Sequence, residues 1–97
     1  MKNSEKIKQM LQEHKAKLKQ KYNVKEIGIF GSYIRGEQKK ASDVDILVDF
    51  EQPIDFFAFL ELEEYLSELI GIKVDLVAKK ALKPGIGRYI LEEVVYV

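Results

Sequence analysis

A chain of 97 residues that is 46% hydrophobic and 33% charged has the make-up of one folded domain, which excludes an intrinsically disordered chain. Sixteen basic and sixteen acidic residues cancel, leaving no net field toward nucleic acid or anionic lipid, and the lack of cysteine excludes disulfides and thiolate metal sites. No apolar run approaches the roughly 20 residues of a membrane span, and "MKNSEKIKQM" lacks the apolar core of a signal peptide, so a cytoplasmic protein with no direct membrane or nucleic-acid contact is expected.

Charge is unevenly placed along the chain. Lysine dominates the charges of residues 2–25, whereas residues 43–68 are acidic with no lysine or arginine. From Ser4 to Tyr22 the apolar residues Ile7, Met10, Leu11, Leu18 and Tyr22 fall at helical spacing, predicting one helix with a wet outer face. Asn3 or Ser4 caps its start, and Asn23 suits a left-handed end. His14, the lone histidine, lies on the apolar stripe and reads as a packing residue, since no second histidine exists to share a metal.

"KEIGIF" (25–30) predicts a first strand, broken by Gly31 and Ser32. "SYIRG" predicts one helical turn closed by Gly36, and "EQKKAS" a polar loop. "DVDILVDF" (43–50) alternates between Asp43, Asp45, Leu47, Asp49 and Val44, Ile46, Val48, Phe50, the period of a strand with one buried face. Pro53 and Asp55 suit the first turn of a helix through "FFAFLELEEYLSELI", with Phe56, Phe59, Leu60, Leu66 and Ile70 as its buried residues and Gly71 as its end. "IKVDLVA" predicts a third strand, "KPG" (83–85) a turn, and "IGRYILEEVVYV" a short helix with an apolar tail. The expectation is a single α/β (α+β) domain over 1–97, about three strands packed against helices.

Residues i and i+2 of a strand share a face, so Asp43 and Asp45 project side by side with Val44 anchored between them. Like charges that close repel unless a cation or proton intervenes, and hard oxygen donors favour magnesium or manganese over zinc. Taken alone, an Asp-x-Asp is compatible with a strand start whose carboxylates both sit in water. Asp75 adds a third, set opposite Val74 and Leu76 in mid-strand, where an unpartnered aspartate is disfavoured. If its strand pairs with 43–50, three carboxylates meet on one face and suffice for two divalent ions, the arrangement that clamps both oxygens in phosphoryl transfer. Asp49 lies too far down the strand to join and reads as solvated. Gly31 lets the backbone approach a phosphate closely, Ser32 offers a hydroxyl at the start of a helical turn, and Arg35 follows one turn later with a forked, permanent charge.

Gly31-Ser32, ten residues, then Asp43-x-Asp45 resembles the GSx10DxD signature of the DNA polymerase β-like nucleotidyltransferases. With "FFAFLELEEYLSELIGIKVDLV" and "ALKPGIGRYILEEVVYV" the chain is similar, from about Ile7 to Val97, to the minimal nucleotidyltransferase (MNT) proteins, antitoxins of HEPN/MNT modules. The resemblance implies a nucleotidyltransferase fold, magnesium (two ions) held by Asp43, Asp45 and Asp75, and an ATP triphosphate held by Gly31 and Ser32. It further implies a protein adenylyltransferase that moves AMP from ATP to a tyrosine of a HEPN-domain ribonuclease toxin encoded next to it. Ile34 stands where the family usually has a small residue, and Gly85 and Gly87 stand in a segment that is often more basic. The rival expectation is a binding module that neutralises its partner by occlusion, through the acidic helix from Asp55 to Glu68 and the tail "VVYV".

Overall fold

The structure is a computed structural model and describes residues 3–97. The chain opens with α1 (Ser4–Glu13) and α2 (Lys15–Tyr22), then β1 (Val24–Phe30), the single turn α3 (Ser32–Arg35) and β2 (Val44–Phe50). Next come α4 (Phe56–Ile70), β3 (Val74–Ala78), a 3₁₀ turn (Lys79–Ala81), α5 (Pro84–Glu93) and β4 (Val95–Tyr96). The strands form one mixed sheet in the order β3-β2-β1-β4. β1 runs antiparallel to β2 and β4, while β2 and β3 are parallel, with α4 as the crossover a parallel pair requires.

Alternation along the strands gives the sheet two unlike faces. Val44, Ile46 and Val48 of β2 join Ile27 and Ile29 of β1, and Val74 and Leu76 of β3, in one core. Ile7, Leu11, Leu18 and Tyr22 of α1 and α2 cover it together with Leu62, Leu66 and Ile70 of α4. The opposite face carries Asp45, Leu47 and Asp49 of β2, paired in register with Phe30, Gly28 and Glu26 of β1. Asp75 and Val77 extend it from β3. Backbone groups at the β3 edge are covered by α4 side chains: the Val74 N–H donates to Ser67 Oγ and the Leu76 N–H to Glu63 Oε2, both at 2.9 Å. That protects the edge from pairing with another chain. Among the described residues no helix is long and apolar enough to cross a membrane.

Several sequence expectations need correction. The first helix is two, divided at His14 (φ −107°, ψ 8°). The His14 ring Nδ1 donates to the Met10 carbonyl at 2.9 Å, the acceptor its own backbone N–H would use in a continuous helix, and that N–H turns to Leu11 O instead. There are four strands rather than about three, because the "VVYV" tail is not free: Val95 and Tyr96 pair with Ile29 and Gly28. Pro53 lies outside α4, whose N-cap is Asp55, accepting from the Ala58 N–H at 2.8 Å. Phe56 (68%) and Leu60 (42%) are exposed and Leu62 is buried in their place, while Phe59 is half-buried and Leu66 and Ile70 are buried as expected. Pro84 opens α5 rather than forming a turn before it. Asn23, Gly36 and Gly71 do end their helices in the left-handed conformation.

Candidate active site

The site lies where β1 runs into α3, beside the starts of β2 and β3. Gly31 ends β1 with φ 78° and ψ −153°, a region open in practice to glycine alone. A Cβ built there would stand 2.9 Å from Asp45 Cγ and closer still to its Oδ2, so the missing side chain is what lets the turn and the carboxylate share this space. The Gly31 carbonyl accepts from the Ile34 and Arg35 N–H groups, both at 3.1 Å, which starts α3 at Ser32. Buried Tyr33 and half-buried Ile34 root the turn in the core, so the larger residue at 34 is absorbed by packing. Ser32 is half-buried and Arg35 is exposed.

Asp45 and Asp75 are direct register partners across the parallel β2–β3 pair. Asp43 immediately precedes β2 and is exposed, as is Asp75, whereas Asp45 is half-buried. Burial raises the Asp45 pKa above the ordinary carboxylate value; the charges of Asp75, Asp43 and Glu93 raise it further, against a smaller opposing pull from Arg35. Asp43 and Asp75 are therefore both near enough for Asp45 to feel their charge. Among the described residues, however, no three acidic, imidazole or thiolate groups already converge closely enough to hold an ion. The donor set still fits magnesium in its chemistry: hard carboxylate oxygens at adjacent strand starts, carrying a mutual repulsion that a divalent cation would relieve. Asp49 sits in register with Glu26, away from this group. An apolar groove of about 390 Å³, lined by Val48, Phe50, Phe56 and Phe59 among others, lies at the opposite end of β2, so the carboxylates do not share it.

Glu93 is a residue that reading the sequence missed. It is the last residue of α5, and its Oε2 accepts from the Gly31 N–H at 2.7 Å while its Oε1 accepts from Arg35 Nη1 at 2.6 Å. Partial burial pushes its pKa up, but the Arg35 and Gly31 donors outweigh that and hold it below the ordinary glutamate value. Arg35 Nε is bonded in turn to Glu37 Oε1. Gly87, at the front of the same helix, is buried, and a Cβ there would meet Leu82 Cβ at 2.8 Å, so this glycine allows close packing, while Gly85 faces open space. The only sequence signal for Glu93 was its place just before the apolar tail, which becomes informative once that tail is a strand beside β1.

A Gly-only turn leads into a helical turn beside paired strand aspartates. The family model "Nucleotidyltransferase domain" matches residues 11–97. The chain belongs to that family and is a transferase enzyme. It is 56% identical over 93 residues to the protein adenylyltransferase MntA of Thermococcus cleftensis, covering 96% of this chain and 94% of that one. It is 55% identical over 98 residues, the full length of both chains, to MJ0128 of Methanocaldococcus jannaschii, which bears the adenylyltransferase name provisionally. Among solved structures it is similar to a chain of a toxin–antitoxin crystallised with AMP-PNP, with TM-score 0.72 and 26% identity, covering 98% of this chain and 72% of that one.

Proposed function

We propose that this chain is the antitoxin of a toxin–antitoxin pair and acts as a magnesium-dependent protein adenylyltransferase, moving AMP from ATP to a tyrosine of a HEPN-domain toxin. The observation that carries the reading is the register of Asp45 with Asp75 beside the Gly31 turn. It places acidic groups against a backbone stretch from which a side chain is sterically excluded. The relative named protein adenylyltransferase and the similar structure crystallised as a toxin–antitoxin with AMP-PNP support the choice of ATP and of a toxin as acceptor.

Asp43, Asp45 and Asp75 would hold magnesium, which when bound supplies charge neutralisation at the phosphates. The Gly31–Ser32 turn receives the triphosphate at the Ser32 hydroxyl, with the Arg35 guanidinium beside it. Asp75, exposed on the open side of the sheet, accepts the proton of the incoming phenol, a group that needs help because its free pKa is about 10. The phenolate oxygen bonds to the α-phosphorus as the bond from that phosphorus to the bridging oxygen of pyrophosphate breaks, so the products are an AMP-tyrosine and diphosphate. Because the carboxylates lie on open surface rather than in the apolar groove, the acceptor protein itself would close the cleft over them.

The test is to supply ATP labelled at either the α- or the γ-phosphate, with magnesium and the protein encoded by the neighbouring gene. Label from the α position on the partner's tyrosine, and none from the γ position, is the expected result. Transfer of γ label, or of neither, contradicts the reading.

A further inference from the structure

We propose that Glu93 is a positioning residue for nucleotide binding, holding the Gly31 turn in its glycine-only conformation and fixing the Arg35 guanidinium by one corner so that its remaining donors face the phosphates. This rests on the nucleotidyltransferase reading of the site and adds a residue from the far end of the chain to it.

The geometry begins with the sheet. Ile29 pairs with Val95, and Ile27 O accepts from the Val97 N–H at 2.9 Å, so odd-numbered residues of β1 turn their backbone groups toward β4. By that alternation the Gly31 N–H also points toward β4, but β4 begins only at Val95 and the chain before it is helix. The Glu93 carboxylate stands where the next strand carbonyl would be and accepts that N–H in its place. Glycine has more backbone conformations open to it than any other residue, so holding it in one takes a specific contact, and a charged acceptor at 2.7 Å from the Gly31 nitrogen supplies that contact. Gly28 permits the approach: a Cβ on it would lie 2.7 Å from Val94 Cγ2 and 2.8 Å from the Val95 carbonyl oxygen, lifting the segment that carries Glu93 off β1.

The second oxygen of the same carboxylate takes Arg35 Nη1, and Glu37 takes Arg35 Nε. Two corners of the guanidinium are thereby tethered, and Nη2 has no acceptor among the described residues. An arginine held in this way gives up less side-chain freedom when an anion binds. One carboxylate therefore sets both the turn and the cation that a triphosphate meets, and the two oxygens divide the task between them.

Glu93→Gln and Glu93→Ala separate the two halves. Glutamine keeps one acceptor for the Gly31 N–H but places an amide N–H₂ toward Arg35; alanine removes both contacts. Amide hydrogen exchange at Gly31, which needs no nucleotide, should stay slow in Glu93→Gln and speed up at least about tenfold in Glu93→Ala. Mg-ATP affinity by calorimetry should fall about tenfold in Glu93→Gln, while the same substitution in an Arg35→Ala background should add little, because the two residues act as one unit. Both variants should keep the wild-type circular dichroism spectrum, and should a variant misfold, wild-type protection of the Gly31 amide remains an independent check. Fast Gly31 exchange in wild type, unchanged Mg-ATP affinity in a folded Glu93→Gln, or full additivity with Arg35→Ala would overturn the inference. Wild type that protects Gly31 but binds no Mg-ATP would overturn the nucleotidyltransferase reading, and with it the nucleotide role of Glu93, while leaving the Glu93–Gly31 contact established.

Discussion

The two faces of one strand, β2, obey opposite rules. Val44, Ile46 and Val48 point into a core where each is fully buried and surrounded by apolar side chains from three helices. Asp45, between them in sequence and opposite in direction, is half-buried among like charges, with a pKa that burial and the Asp75 and Asp43 carboxylates push upward. The first set stabilises the fold, and the second is held at a cost to it. The stable face supplies the rigidity that lets the other keep unfavourable groups close together.

The largest effect that sharpens this contrast should come from Asp43→Asn combined with Asp45→Asn. Mg-ATP binding should vanish in calorimetry because the ligand pair is gone, while thermal stability should rise. The sign follows from the raised Asp45 pKa. Where the folded state holds the proton more tightly than the unfolded one, stability falls as pH climbs from the unfolded pKa through the folded value, so at neutral pH the ionised Asp45 works against folding. Asparagine removes that opposition, and a lowered melting temperature in the variant would break the comparison.

Next in size is a change on the apolar face. Leu62 is fully buried in the core, and Leu62→Ala should cost about 2–5 kcal/mol by urea unfolding, with Mg-ATP affinity preserved in whatever fraction stays folded. Gly31→Val should affect both faces: nucleotide binding is lost to the clash with Asp45, and stability falls as well, since a β-branched residue is strained at φ 78°. The smallest effect is expected at the protected edge. Ser67→Ala removes the acceptor of the Val74 N–H and should cost about 1 kcal/mol, read as a shift of the urea midpoint.

The same contrast explains what could be read in advance. β2 and β3 were legible because alternation of period 2 is strong in "DVDILVDF" and "VDLVA", and the same alternation put Asp45 and Asp75 on one face. Gly31, Ser32 and the aspartates were legible as a spacing. The division at His14 was not, because Ile7, Leu11, Leu18 and Tyr22 keep helical spacing across it and the break depends on one ring nitrogen reaching Met10. The start of α4 misled because "FFAFL" is apolar all round, giving no stripe to separate exposed Phe56 and Leu60 from half-buried Phe59. β4 has only two residues and no alternation of its own, and with it went the place of Glu93, which only the β1–β4 register reveals.

The central claim, that the charged face of the sheet performs adenylyl transfer, is tested most directly at Asp75, a carboxylate near the start of β3 that is exposed and contributes nothing to the core. The measurement is the intact mass of the neighbouring-gene partner after incubation with ATP, magnesium and either wild-type protein or Asp75→Asn. The account predicts a gain of whole AMP units with wild type and a rate lower by orders of magnitude with Asp75→Asn, whose fold and partner binding are unchanged. Equal neutralisation of the partner by both proteins, with no added mass in either case, would contradict it and leave a module that acts by occlusion.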